Sequence, residues 1–162
     1  MTGTLRVKDF MVGLEHYPTV GAGATVLEAV VALRQSFRRV GGVWYGPQLL
    51  VVLDEGGRPA GLLTLRALLH AVGIKDLCAD VWFRSEAWSW YALRQLRPGS
   101  TMRVRDVMRP VDAVTVHPDD PPEEAALRML DHGVSHLPVM AGNGVVGILR
   151  VIDLLPYIES LL

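Results

Sequence analysis

Few residues of this chain have types and spacing that could do chemistry, and most fail on closer reading. Asp131, His132 and His136 imitate a metal-ligand set, because two histidines four positions apart share one face of a helix. Gly133 and the strand-like residues after it break that helix, so the two rings do not converge. Ser135 stands beside His136 as a nucleophile stands beside a base, yet successive strand residues point to opposite faces, which predicts no catalytic pair. Gly21-Ala22-Gly23-Ala24-Thr25 has the glycine content of a phosphate loop but lacks the Gly-Lys-Ser or Gly-Lys-Thr ending, and reads instead as a flexible approach to a helix. Cys78 is alone, which forbids an intrachain disulfide and fits a reducing compartment; a lone Cys is most often a small buried hydrophobe. With no nucleophile beside a base, no paired acids and no catalytic metal set, the sequence predicts a protein that is not an enzyme.

The elements that must position the remaining polar residues come in two copies. Arg6-Val7-Lys8-Asp9-Phe10-Met11 returns as Arg103-Val104-Arg105-Asp106-Val107-Met108, an offset of 97 with four identities in six positions. Val20, Glu28, Ala29 and Leu33 match Val116, Glu124, Ala125 and Met129 at an offset of 96, and Gly61-Leu62-Leu63 matches Gly147-Ile148-Leu149 at 86. The shrinking offset places about 11 extra residues in the first copy, most of them between Leu33 and Leu50, where Gly41-Gly42-Val43-Trp44-Tyr45-Gly46-Pro47 reads as loop. Within each copy the apolar period alternates. Val26, Ala29, Val30, Leu33 and Phe37 follow helical spacing, as do Ala126, Met129 and Leu130 after Pro121-Pro122. Leu49–Leu53 and 60–63 flank a turn, as do 137–140 and 145–149, and each pair reads as strand, turn, strand. A final helix in each copy carries its apolar residues at 65, 68, 69 and 72, and at 151, 154, 155 and 158. The fold class expected is α+β (mixed α/β), built from two strand-helix-strand-strand-helix repeats. The division expected is 1–74 for the first repeat, with its insertion at about 34–49, then 75–102 as a Trp-rich helical connection, and 103–162 for the second repeat.

Composition narrows the class further. Sixteen Lys and Arg against seventeen Asp and Glu leave a net charge of −1, which argues against a nucleic-acid partner. Hydrophobic residues make up 50% of the chain and charged ones 20%, ample for a folded core. The mean hydropathy of +0.27 raises the membrane question. Every apolar run is cut by charge, Gly or Pro well short of the roughly 20 residues that span a bilayer, so no membrane partner is expected. The first ten residues lack an apolar secretory core, and the location expected is cytoplasmic.

At this point the chain resembles a tandem pair of cystathionine beta-synthase (CBS) domains. The resemblance rests on Val104-Arg105-Asp106-Val107-Met108, on Ser135-His136-Leu137-Pro138-Val139, and on Gly147-Ile148-Leu149-Arg150-Val151-Ile152-Asp153, and it covers both copies without the insertions. It implies a pair related by a pseudo-twofold, leaving two clefts in which many members bind adenosine nucleotides or related adenosyl compounds. A ribose offers two vicinal hydroxyls that one carboxylate can accept, and phosphates need cations or hydroxyls. The family's closing segment usually supplies a Ser or Thr for phosphate and an Asp for ribose three residues later. Here the second copy has Asp153 but Arg150 in place of the hydroxyl, and the first copy has Thr64 but Ala67 in place of the Asp.

The Asp153 cleft is therefore the better candidate. Arg150 either reinforces phosphate binding or fills the cleft, and Asp153 either takes the ribose or only complements a helix dipole. By the same resemblance, His136 and Ser135 stand near the phosphate, while Val20, Thr25 and Leu50 supply the other wall. A second, weaker cleft would use Thr64, Val116 and Asp120. The ligands expected are AMP, ADP, ATP or S-adenosylmethionine, with no cofactor required.

All four Trp residues fall outside the repeated core: Trp44 in the insertion, and Trp82, Trp88 and Trp90 in the connection. Such rings either cover apolar surface within the chain or form an interface, since Trp, Tyr and Arg are enriched at binding hot spots. The function expected is a regulatory, ligand-sensing module that binds an adenosine nucleotide and acts as a homodimer with contacts in the Trp-rich connection. The alternative is a ligand-free module that holds a protein partner through its Trp-rich insertions.

Overall fold

A computed structural model describes residues 3–71 and 102–162. The connection that holds Cys78, Trp82, Trp88 and Trp90 lies outside the described residues. In chain order the strands are β1 (Thr19–Gly21), β2 (Arg38–Val40), β3 (Val43–Tyr45), β4 (Leu49–Leu53), β5 (Pro59–Thr64), β6 (Arg109–Pro110), β7 (His136–Ala141) and β8 (Gly144–Arg150). The helices are α1 (Val26–Gln35), α2 (Leu65–Ala71), α3 (Val104–Val107), α4 (Pro122–His132) and α5 (Leu155–Ser160). Short 3-10 helices at Val7–Asp9, Leu14–His16 and Val151–Leu154 join them.

Compact units and sequence repeats partition the chain differently. One unit, here the middle unit, is Tyr17–Arg109; the other, the terminal unit, joins Met1–His16 to Pro110–Leu162. The segment Arg6–Met11 thus belongs to the unit built from the second repeat, and Arg103–Met108 to the unit built from the first.

The middle unit is organised around β4. Its run Leu49-Leu50-Val51-Val52 is buried at every position, as expected of a strand covered on both faces. β1 pairs with it in parallel and β5 antiparallel, giving the sheet order β1-β4-β5-β6. Helix α1 starts at a capping box in which Thr25 Oγ1 accepts from the Glu28 backbone N–H (3.1 Å) and Glu28 Oε2 from that of Thr25 (2.8 Å). It buries Val26, Ala29 and Leu33 against Leu50, Val52, Leu63 and Leu68. Each Val or Leu side chain among them contributes about 1.5–3 kcal/mol by leaving water.

The terminal unit repeats this plan with less regular pairing. β7 and β8 form an antiparallel hairpin closed at Gly142-Asn143, with Gly142 at φ +62°. Val116 runs parallel to Val139, in the role of β1, and Val12 bridges Ile148 on the opposite edge. Helix α4 starts at Pro122, which has no N–H to leave unsatisfied, and ends at Gly133 in the left-handed conformation. Its core joins Val7, Val116, Ala125, Met129, Leu137, Val139, Leu149 and Leu154.

Both units use a glycine to let a methionine-bearing segment cross the sheet. A Cβ at Gly147 would stand 2.9 Å from Met11 Sδ and 3.0 Å from the Val12 carbonyl oxygen. A Cβ at Gly61 would meet the Met108 side chain and lie 3.0 Å from the Arg109 carbonyl oxygen.

Three expectations change. The insertion is not a loop: Arg38–Val40 and Val43–Tyr45 pair antiparallel across Gly41-Gly42, whose φ of +56° and +84° are those of a tight two-residue hairpin turn. The buried stripe of α4 is Pro122, Ala125 and Met129; Met129 is buried as expected, but Ala126 is only partly buried and Leu130 is 78% exposed. Among the described residues of the final helices only Leu68, Leu154 and Tyr157 are buried, while Leu65, Leu69, Val151, Leu155 and Ile158 stay exposed; position 72 lies outside the described residues.

Candidate functional site

The candidate site is gathered by the register of one hairpin. His136 and Arg150 are directly opposed across β7 and β8, and the Val151 backbone N–H donates to the Ser135 carbonyl (3.0 Å), pinning the segment that leads into the hairpin to the start of the closing 3-10 helix. Asp153 follows one turn later. Ser135, His136, Arg150 and Asp153 are thereby brought together within the terminal unit.

At its centre is a two-pronged ion pair. The Arg150 Nε and backbone N–H both donate to Asp153 Oδ2 at 2.9 Å, and Arg150 Nη2 donates to Oδ1. The Asp153 side chain is 10% exposed and that of Arg150 37%. A carboxylate has about four lone-pair positions. Three are occupied here, so a ribose diol reaches Asp153 only after the guanidinium moves away. Arg150 and Asp153 are therefore partners of each other, an arrangement that their opposite charge and three-residue spacing permit and that the sequence reading did not draw.

The Asp has a second, local job. The chain carries Arg-Val-x-Asp three times, and in each the Asp accepts the backbone N–H of the Arg: Asp9 from Arg6 (2.8 Å), Asp106 from Arg103 (3.1 Å) and Asp153 from Arg150. This is the reciprocal half of a capping box, satisfying one donor at a helix start. The guanidinium groups diverge. Arg6 donates to the Asp119 carbonyl (3.0 Å), Arg103 to the Gly23 carbonyl (3.4 Å), and Arg150 turns back onto its own Asp.

Ser135 and His136 correct an expectation. Ser135 Oγ lies 2.9 Å from His136 Nδ1, although alternation was expected to separate the two side chains. β7 begins at His136, so Ser135 precedes the strand and is not bound by its period. His136 is buried at 8% exposure, so its imidazole reads as part of the local packing as well as a candidate contact. His132 is the last residue of α4, before Gly133, and among the described residues no group of three His, Cys, Asp or Glu could hold a metal ion.

The remaining candidates take other roles. Val20, Thr25, Leu50 and Thr64 belong to the middle unit. Val20 lies in β1, Thr25 caps α1, and Leu50 is fully buried in the core. Thr64 Oγ1 accepts from the Ala67 backbone N–H (3.1 Å), so its hydroxyl is the helix cap at the position matching Arg150. In the terminal unit Val116 is a buried core residue, and Asp120 Oδ2 accepts from the His117 backbone N–H (2.8 Å), closing a turn. Nearby, Lys8 Nζ sits 2.9 Å from Asp119 Oδ1; that hydrogen bond and the opposite charge hold the Asp119 carboxyl below its ordinary range and raise the Lys8 ammonium.

Comparison with known proteins gives a consistent picture. The family model described as CBS domain matches residues 7–74 and 104–160. Among solved structures, the CBS-pair protein CBSX2 from Arabidopsis thaliana is 21% identical, covers 98% of this chain and 97% of its own, and superposes with a TM-score of 0.65. CBSX2 in complex with AMP is 22% identical over 96% of this chain and 97% of that one, with a TM-score of 0.64. The CBS domain pair of protein MJ0100, in complex with 5-methylthioadenosine and S-adenosyl-L-methionine, is 18% identical over 99% and 100%, with a TM-score of 0.64. At these identities the likeness concerns the fold. None of the curated proteins matches the chain.

Proposed function

Because the chain belongs to the CBS domain family and carries two copies in tandem, we propose that it is a regulatory module that senses an adenosine nucleotide or a related adenosyl compound through Asp153, Arg150, His136 and Ser135. CBS domain pairs are in general non-catalytic regulatory modules. The supporting observation is the convergence of a carboxylate, a guanidinium and an imidazole at one end of the β7–β8 hairpin. Asp153 supplies the acceptor for the ribose hydroxyls, and Arg150 with His136 supplies donors for phosphate. The matching end of β4–β5 has Leu49 opposite Thr64 and Ala67 in place of the carboxylate, so the weaker site lacks an acceptor for the ribose and is not favoured.

The ion pair gives the reading a mechanism. Ligand entry exchanges partners: the guanidinium leaves Asp153 for the phosphate, and the freed carboxylate takes the ribose. Occupancy is then coupled to the first turn after β8, because Asp153 also holds the Arg150 backbone N–H. The reading further includes a homodimer working in the cytoplasm; among the described residues no helix is long and apolar enough to cross a membrane.

Thermal shift and titration calorimetry of the whole chain with AMP, ADP, ATP, S-adenosylmethionine and 5-methylthioadenosine test the proposal. At least one ligand is expected to raise the melting temperature, with the gain lost in Asp153→Asn. No shift with any of them at millimolar concentration overturns it; a shift that survives Asp153→Asn removes the ribose assignment.

A further inference from the structure

We propose that in the homodimer the helix pair of the first repeat packs on the helix pair of the second repeat of the other copy, so that unlike faces meet, twice, about the twofold axis. The pairing rests on the homodimer proposed above and adds which face takes which.

The near-neutral total hides two units of opposite charge. From Tyr17 to Arg109 the sequence has twelve Lys and Arg against seven Asp and Glu, a net of +5. Met1–His16 with Pro110–Leu162 has four against ten, a net of −6, and the two together return the −1 of the whole chain. Each unit also leaves apolar helix side chains outside its own core. In the middle unit these are Leu27, Val30 and Val31 of α1 with Leu65 and Leu69 of α2. In the terminal unit they are Leu127 and Leu130 of α4, Ile152 of the closing 3-10 helix, and Leu155 and Ile158 of α5. Exposed apolar surface of this extent marks an interface.

Charge chooses the pairing. The stripe Leu27-Val30-Val31 runs on at helical spacing to Arg34, and Arg66 stands beside Leu65. The stripe Leu127-Leu130 runs on to Asp131, and Glu159 follows Ile158. Among the described residues Arg34, Arg66, Asp131 and Glu159 take part in no ion pair. Unlike pairing sets a unit of +5 beside one of −6 in both contacts, whereas like pairing sets +5 beside +5 and −6 beside −6. This difference rests on the sums, so it holds whatever the register inside each contact. A twofold axis requires only that the same contact recur with the copies exchanged, which unlike faces satisfy.

Shape agrees with charge. Between α1 and α2 runs a trough of ≈ 570 Å³, lined by Val30, Leu33, Leu65 and Leu69 and closed by Trp44. In the terminal unit α4 packs against the 3-10 helix that carries Ile152, and Leu130 and Ile152 are 78% and 65% exposed. A trough on one face and projecting side chains on the other are complementary.

The test combines cross-linking with charge reversal on the whole chain. In a Cys78→Ser background, Leu69→Cys puts a thiol on the first face and Leu130→Cys one on the second. A short bismaleimide is expected to join a mixture of the two variants into covalent dimers of one chain of each, and to join either variant alone far less. Arg34→Glu/Arg66→Glu should weaken self-association about tenfold or more, Asp131→Lys/Glu159→Lys should do the same, and all four changes together should restore it. Circular dichroism checks each fold. A dimer by light scattering that cross-links only within one variant, or whose affinity ignores both reversals, overturns the pairing and leaves the homodimer standing. A monomer at every concentration overturns both, and binding of phosphatidylglycerol vesicles or of a helical peptide by that monomer names a different occupant of the faces.

Discussion

Replacing Arg150 with Met separates the two things the guanidinium is asked to do. In the free protein it donates two side-chain hydrogen bonds to Asp153, one from Nε at 2.9 Å and one from Nη2. Hydrogen bonds to charged groups contribute roughly 1.5–3 kcal/mol when well buried. Arg150 is more than a third exposed, so solvent screening brings the net value of this pair to about 1–2 kcal/mol. That is the cost a ribose meets when it displaces the guanidinium. Adenosine, which has no phosphate to repay it, should therefore bind Arg150→Met about 5- to 30-fold more tightly than the parent. AMP gains the same amount at the ribose and loses a charge-assisted contact of similar size at the phosphate, so its affinity should change little or fall. The readout is the ratio of AMP to adenosine affinity by calorimetry at pH 7, expected to drop by about tenfold or more. Arg150→Lys, which keeps the charge without the fork, should fall between. If adenosine affinity is unchanged or weaker in a folded Arg150→Met protein, the exchange of partners is wrong.

The other two Arg-Val-x-Asp turns should behave as caps only: Asp9→Ala and Asp106→Ala should each cost about 1 kcal/mol in urea denaturation and leave ligand affinity alone. Gly147→Ala should destabilise by about 1–3 kcal/mol through overpacking. Adding Met11→Ala should restore only part of this, because the Val12 carbonyl oxygen, 3.0 Å from the new Cβ, cannot move aside as a side chain can. An NMR titration should place the Asp119 carboxyl below the ordinary aspartate range, and Lys8→Met should return it toward that range. A lowered carboxylate value stabilises the fold fully above the unfolded-state value and less as pH falls through the lowered one, so parent and Lys8→Met stabilities should converge in acid.

The regular parts of the fold were legible because two periodicities and one repeat agreed. Leu49–Leu53 is a strand over the whole expected range, and the turns at Gly57 and Gly142 fall where glycine was needed. The insertion is a hairpin although its Gly and Pro content reads as loop: Val40-Gly41-Gly42-Val43, two glycines between β-branched residues, is the stronger signal. The exposed faces of Leu65, Leu69, Leu130 and Leu155 were unreadable, since helical spacing shows that a stripe exists and not which half of it the sheet covers. At the candidate site, Ser135, His136, Arg150 and Asp153 are singled out through the resemblance, and the structure gathers them at one end of the β7–β8 hairpin. Their mutual satisfaction was not legible, because a hydrogen bond between Arg150 and Asp153 depends on a side chain folding back over its own turn. Thr25, expected in a cleft wall, and Thr64, expected at the hydroxyl position, each also cap a helix, a role their sequence spacing did not reveal.

The division of the chain into Tyr17–Arg109 and Met1–His16 with Pro110–Leu162 has a consequence for how the molecule comes into being. As the chain is synthesised, the middle unit is complete once Arg109 has left the ribosome, whereas residues made first must wait for the last fifty before Val12 can bridge Ile148 and Phe10 can meet Tyr157. The early segment is thus held in reserve while its neighbour folds. Joining residue 162 to residue 1 and opening the chain before Tyr17 would make both units contiguous, and such a circular permutant should fold without that wait.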